Sequence, residues 1–209
     1  VGYDLVAHCV NDILVQGAEP LFFPDYIALG KMDPARVESI VSGIARACAE
    51  FSCPLIGGET AEMPGTYAED DYDLAGFIVG AMDKGKVLPR KDVGAGDLLI
   101  GLPSLGLHTN GYSLARKVLL ERMGLKVSDR PPSLPGTVGE ALLAPHRSYL
   151  EPLWPELQQD RIKALVHITG GGFEGNIPRV LPAGVGARVV TSAWPALPIF
   201  SLIAEGGPV

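Results

Sequence analysis

Apolar residues return every three or four positions at the start of this chain. Leu5, Val6, Cys9, Val10, Ile13 and Leu14 form one stripe, which predicts an amphipathic helix over residues 3–16 with a stop at Gly17. Residues 21–29 are instead almost continuously apolar, broken only by Pro24 and Asp25, the pattern of a strand buried on both faces. Asp33 followed by Pro34 has the chemistry of a helix start, and the stripe Val37, Ile40, Val41, Ile44, Ala45, Cys48 continues it. A short apolar run, Pro54-Leu55-Ile56, predicts a strand ending at Gly57. A polar loop follows over 66–71, then a strand over 72–82. The order helix, strand, helix, strand, strand predicts a mixed sheet with helices on one face.

Residues 84–97 are polar and rich in turn formers, and they mark a domain boundary. Beyond them the pattern predicts strands over 98–102, 164–168 and 187–191. Helical stretches are expected over 111–123, near 139–143, over 145–158 and over 173–181, with a proline-rich loop at 127–136 between the first two. The second region therefore reads as a further α/β domain.

Composition narrows the classes. Of 209 residues, 47% are hydrophobic and 20% charged, a globular balance long enough for one or two cores. Seventeen basic against 24 acidic residues give a formal charge of −7, which argues against a nucleic-acid surface. No apolar run is long enough to cross a bilayer. Cys9, Cys48 and Cys53 lie in or beside apolar segments without metal-ligand spacing, as buried reduced thiols of a cytoplasmic protein do. The sequence starts inside a helical pattern without a methionine and stops soon after an apolar stretch, so a longer polypeptide is expected.

Five places carry candidate chemistry. In Gly57-Gly58-Glu59-Thr60-Ala61-Glu62-Met63-Pro64-Gly65, two carboxylates follow glycines that let backbone approach a ligand. Carboxylate oxygens for Mg²⁺ beside amides for phosphate suit a metal–nucleotide site, although a glycine-rich turn with solvated acids has the same pattern. Asn11-Asp12 puts an amide and a carboxylate into the first helix, and Asp25 puts an acid into an apolar strand. Both call for a partner, and an exposed helix acid or an edge-strand charge would also account for them. His108-Thr109-Asn110-Gly111-Tyr112-Ser113 joins an expected strand to a helix, where its polar groups serve either a substrate or the helix cap. His167-Ile168-Thr169-Gly170-Gly171-Gly172 repeats that arrangement, with glycines able to form an anion-binding nest or a tight turn.

These segments, with Gly17 to Phe23, Tyr72 to Phe77 and the run from His167 to Pro182, occur in one order. Together they resemble the phosphoribosylformylglycinamidine cyclo-ligase family, the AIR synthetases of purine biosynthesis, along essentially the whole chain. The resemblance implies a two-domain fold, with residues 1–92 on the ATP and dimer side and 93–209 on the substrate side. It implies a ligase that uses ATP and Mg²⁺ to close the imidazole ring of formylglycinamidine ribonucleotide, working as a homodimer. On this resemblance Asp12, Glu59 and Glu62 are metal candidates. Asn11, Thr109, Asn110, Ser113, Thr169, Gly170, Gly171 and Gly172 are candidates for ATP or substrate binding, and His108 and Asp25 for catalysis. Members of the family also carry a DGVGTK-like motif upstream and a FNxGxGM-like motif downstream. Neither occurs in these 209 residues, so part of the ATP site is expected to lie outside them. Other enzymes of the same ATP-binding superfamily, such as formylglycinamidine synthetase, thiamine-phosphate kinase or selenide dikinase, share the fold. A non-catalytic ATP-binding module is the alternative of a different class.

Overall fold

The computed structural model describes residues 1–207, so the last two positions of the second expected domain lie outside it. The chain divides into two units, residues 1–94 with 148–167, and residues 95–147 with 168 onward. The segment 148–167 thus belongs with the first unit, whereas the sequence pattern places it in the second domain.

In the first unit, helix α1 (Gly2–Leu14) leads into strand β1 (Glu19–Leu29), followed by helix α2 (Pro34–Glu50) and strand β2 (Leu55–Glu62). Strands β3 (Tyr72–Gly76) and β4 (Val79–Ala81) complete the sheet, so the expected strand over 72–82 is broken into two. β1 is central. It pairs in parallel with β2 and antiparallel with β3 along its second half and β4 along its first. The α2 start forms as its residues require: the Asp33 carboxylate accepts from the N–H groups of Ala35 and Arg36 at 3.1 and 3.3 Å. Val6 and Val10 of α1, Ile40 and Ile44 of α2, and Phe23, Ile27 and Leu29 of β1 form one core. Both helices therefore cover the same face of the sheet. Helix α5 (Leu150–Gln158) adds a smaller cluster, with Leu157 packed near Leu14 and Leu88.

The second unit is helical among its described residues. It holds α3 (Tyr112–Arg116), which continues as a π-type turn over Lys117–Arg122, then α4 (Val138–Leu142), α6 (Gly172–Asn176) and α7 (Pro198–Glu205). Ala115, Val118, Leu119, Val138, Leu142, Ile199 and Leu202 are its core. The strands expected over 98–102 and 187–191 do not form here, and neither does the one over 164–168. A strand needs a neighbour to complete its hydrogen-bond ladder, and an apolar run does not supply one. Leu98 and Ile100 accordingly stand 90% and 83% exposed. No helix among the described residues is long and apolar enough to cross a membrane.

Candidate functional site

The glycine-rich run is not a turn after a strand. It is the strand: β2 continues through Gly57 and Gly58 to Glu62, and the chain turns only beyond Met63. The cause is pairing, since residues 57–62 run in register with Pro24 to Leu29 of β1. Gly58 and Gly76 both stand opposite Asp25. A Cβ on Gly58 would come within 2.4 Å of Asp25 Oδ1 and 2.7 Å of its backbone oxygen, so only glycine leaves room for the acid. Burial holds the Asp25 carboxyl above its usual range, opposed by a bond from its own backbone.

Strand alternation then separates the carboxylates. Glu59 pairs with Tyr26, one step out of phase with Asp25, so it faces away from the helices, while Glu62 stands across from Leu29 on the other face. Glu62 accepts the Met32 N–H at 2.9 Å and lines a groove with Lys31, Gly65, Tyr67 and Glu69. Mg²⁺ is commonly held by one or two carboxylates, with phosphates and water filling the rest. Glu59, exposed on the strand, fits as one such donor. Glu59 and Glu62 do not fit as a pair.

Asp12 has different company. Its carboxylate lies 2.8 Å from His167 Nδ1 and 3.4 Å from His8 Nε2, the latter one helical turn away on α1. Burial draws His8 below its usual range, with Asp12 pulling upward and His167 downward. Neighbouring Asn11 is buried, and its Oδ1 accepts the Tyr149 N–H at 3.0 Å, tying α1 to the start of α5. Burial also pushes Cys9 up to about 11 and Cys48 up to about 12, so these thiols stay protonated at neutral pH.

In the second unit two loops meet. Gly111 caps α3 in a left-handed conformation, and no side chain bonds the helix start. Thr109, Asn110 and Ser113 are therefore not caps. Asn110 Oδ1 lies 3.7 Å from where a Cβ on Gly170 would stand, which brings the two expected ligand loops together. Thr109 Oγ1 reaches His146 Nδ1 at 3.4 Å, and His146 stacks on His108 with ring centroids 4.2 Å apart. His108 Nε2 accepts the backbone N–H groups of Leu105 and Arg147, at 3.2 and 3.4 Å. That nitrogen, accepting from both, holds the loop.

The Gly170–Gly172 turn is exposed, with Gly171 and Gly172 at positive φ and the Gly172 N–H donated to the Thr169 carbonyl at 3.1 Å. Its rigidity comes from a residue that the sequence did not single out. Asn176, 2% exposed, donates from Nδ2 to the carbonyls of Gly172 at 2.7 Å and Gly170 at 3.3 Å. Thr169 Oγ1 lies 3.5 Å from its Oδ1. An asparagine between Gly175 and the Ile177-Pro178 pair was the only signal available.

Comparison with known proteins covers both units. The family model "AIR synthase related protein, N-terminal domain" matches residues 1–82, and its C-terminal counterpart matches 94–206. A phosphoribosylformylglycinamidine cyclo-ligase of Brevibacillus brevis is 54% identical over 209 residues, 100% of this chain and 60% of its own length. One from Shouchella clausii is 56% identical over 207 residues, 99% of this chain and 60% of its own length. The chain thus spans 60% of the length of these curated relatives. Among solved structures, a thiamine monophosphate kinase from Aquifex aeolicus is 25% identical over 38% of this chain and 26% of that one, with a TM-score of 0.33.

Proposed function

Because this chain belongs to the AIR synthase related protein family, we propose that the protein carrying it is a cyclo-ligase of purine biosynthesis. In this reading it converts formylglycinamidine ribonucleotide and ATP to 5-aminoimidazole ribonucleotide, ADP and phosphate. The observation that carries the reading is identity above half, sustained from end to end, with curated cyclo-ligases. The superfamily alternatives have no comparable support.

The reaction asks for two things. ATP must activate the formyl amide oxygen, and the amidine nitrogen must then reach that carbon while phosphate leaves. Mg²⁺, when bound, neutralises the polyphosphate, and Glu59 is the carboxylate placed to hold it. The turn at Gly170–Gly172 offers the Gly170 and Gly171 N–H groups to a phosphate, and Asn176 holds the turn through the Gly170 and Gly172 carbonyls. Asn110, beside Gly170, supplies an amide to the same ligand, with Thr109 and Ser113 on the same loop. His108 acts here as the support of that loop. Asp25 supports β2 through Gly58, and Asn11 braces α1. The protein works in the cytoplasm as a homodimer.

Glu59→Gln in the natural polypeptide tests the metal assignment. Mg²⁺-dependent ATP affinity should fall about tenfold, the loss of one charge-assisted ligand worth about 1.4 kcal/mol, while the thermal melt is unchanged. ATP affinity measured calorimetrically at saturating Mg²⁺ and unaltered by the substitution removes Glu59 from the site.

A further inference from the structure

We propose that His146 is a positioning residue for substrate binding, one that clamps His108 and Thr109 at the head of the 108–113 loop in their binding geometry. The inference rests on the cyclo-ligase reading, which sets that loop against the ribonucleotide. The contacts that carry it all lie within the second unit.

The loop needs a clamp because its first residue is held in an uncommon conformation. His108 has a φ of 57°, in the left-handed region that only a few per cent of residues other than glycine adopt. Such a backbone persists where its surroundings overdetermine it. Two neighbouring residues do so here. The His146 ring stacks on His108 with centroids 4.2 Å apart and planes at 30°. The Arg147 N–H donates to His108 Nε2 at 3.4 Å, beside the Leu105 N–H at 3.2 Å. Arg147 Nη1 also donates to the Pro103 carbonyl at 3.1 Å, which ties the same stretch at its start.

His146 then reaches one residue further. Its Nδ1 lies 3.4 Å from Thr109 Oγ1, so one ring holds two successive loop residues, the first by stacking and the second by a hydrogen bond. The ring is 1% exposed, and a side chain locked by its surroundings can pass that rigidity to the loop it touches. Fixing the loop before a ligand arrives removes an ordering cost from binding. The effect therefore falls on affinity for the ribonucleotide and leaves the chemical step alone. The competing role for His146 is that of a buried ring that only fills space.

The natural polypeptide and its His146→Ala and His146→Phe variants are compared by steady-state kinetics and by hydrogen exchange read with mass spectrometry. A loop that holds its geometry about a tenth of the time raises an apparent binding constant about tenfold. His146→Ala should therefore raise KM for formylglycinamidine ribonucleotide about tenfold, with kcat within about twofold and KM for ATP unchanged. His146→Phe keeps a ring for the stack and loses the Thr109 bond, so a rise of about threefold is expected. Amide exchange over residues 103–109 should quicken in both variants while helix α4 exchanges as before. Should His146→Ala fail to fold, His146→Phe decides the matter. A fall in kcat at unchanged KM, parental behaviour of His146→Phe, or exchange that quickens across α4 as well overturns the proposal. Absence of ribonucleotide-dependent ADP release from the parent overturns the cyclo-ligase reading instead, and exchange over 103–109 then decides the clamp by itself.

Discussion

Phe23→Ala is expected to destabilise the first unit by about 3–5 kcal/mol, the range for truncating a buried aromatic. Phe23 is completely buried and belongs to the core shared by α1, α2 and β1. Its neighbours cannot close the gap easily. A Cβ on Gly76 would stand 2.4 Å from the Phe23 ring, so β3 has been fitted against that ring with no side chain between them. Removing the ring leaves a cavity under the central strand, against a total stability of about 5–15 kcal/mol for a typical domain. Urea unfolding monitored by circular dichroism measures the loss. Leu98→Ala, at a 90% exposed position, is the control and should change stability by less than about 0.5 kcal/mol. A Phe23→Ala loss no larger than the control's would mean that the core is not built around β1.

Gly58→Ala carries the second large effect, about 1–3 kcal/mol from overpacking between two paired strands. The added methyl meets Asp25 Oδ1 at 2.4 Å and the Asp25 backbone oxygen at 2.7 Å. The carboxylate can swing away, but the backbone oxygen cannot without parting β1 from β2. A double mutant with Asp25→Ala should therefore recover only part of the loss, and the coupling between the two positions reads out the contact. Full recovery would show that the carboxylate alone requires glycine. An unaltered melt for Gly58→Ala would contradict the pairing of Gly58 with Asp25. The same displacement shifts Glu59, the next residue, so nucleotide affinity should fall along with stability.

Much of the first unit was legible in the chain. The stripes of α1 and α2, the Asp33 cap and the buried β1 follow from local periodicity and capping, which do not depend on distant residues. The run from Gly57 to Glu62 was legible as important but not as a strand. Glycines usually weaken strands, and here a neighbouring acid requires one of them. The three apolar runs at 98–102, 164–168 and 187–191 show the limit from the other side. Apolar continuity marks a segment that is able to pair, and pairing itself depends on what lies beside it.

The candidate site divides in the same way. The glycine turn and the polar loop at 108–113 were readable because their residue types carry their chemistry locally. That Asn110 approaches Gly170, that Asn176 ties the turn, and that His108 spends a nitrogen on two backbone amides are tertiary facts. Asp12 is the clearest case. Its identity suggested a metal ligand, but the partner that defines its chemistry, His167, lies 155 residues away. Glu59 and Glu62 were grouped by closeness in sequence, and the alternation of β2 places them on opposite faces.

Transfer of oxygen tests the proposed reaction most directly. Formylglycinamidine ribonucleotide carrying a heavy-oxygen label in its formyl group is given to the natural polypeptide with ATP and Mg²⁺, and the released phosphate is examined by mass spectrometry. Attack of the formyl oxygen on the terminal phosphoryl group, followed by ring closure, predicts labelled phosphate in equal amount to ADP and to the imidazole product. ATP hydrolysis that leaves the label in unreacted nucleotide, or no ADP release on adding this substrate, would contradict the account.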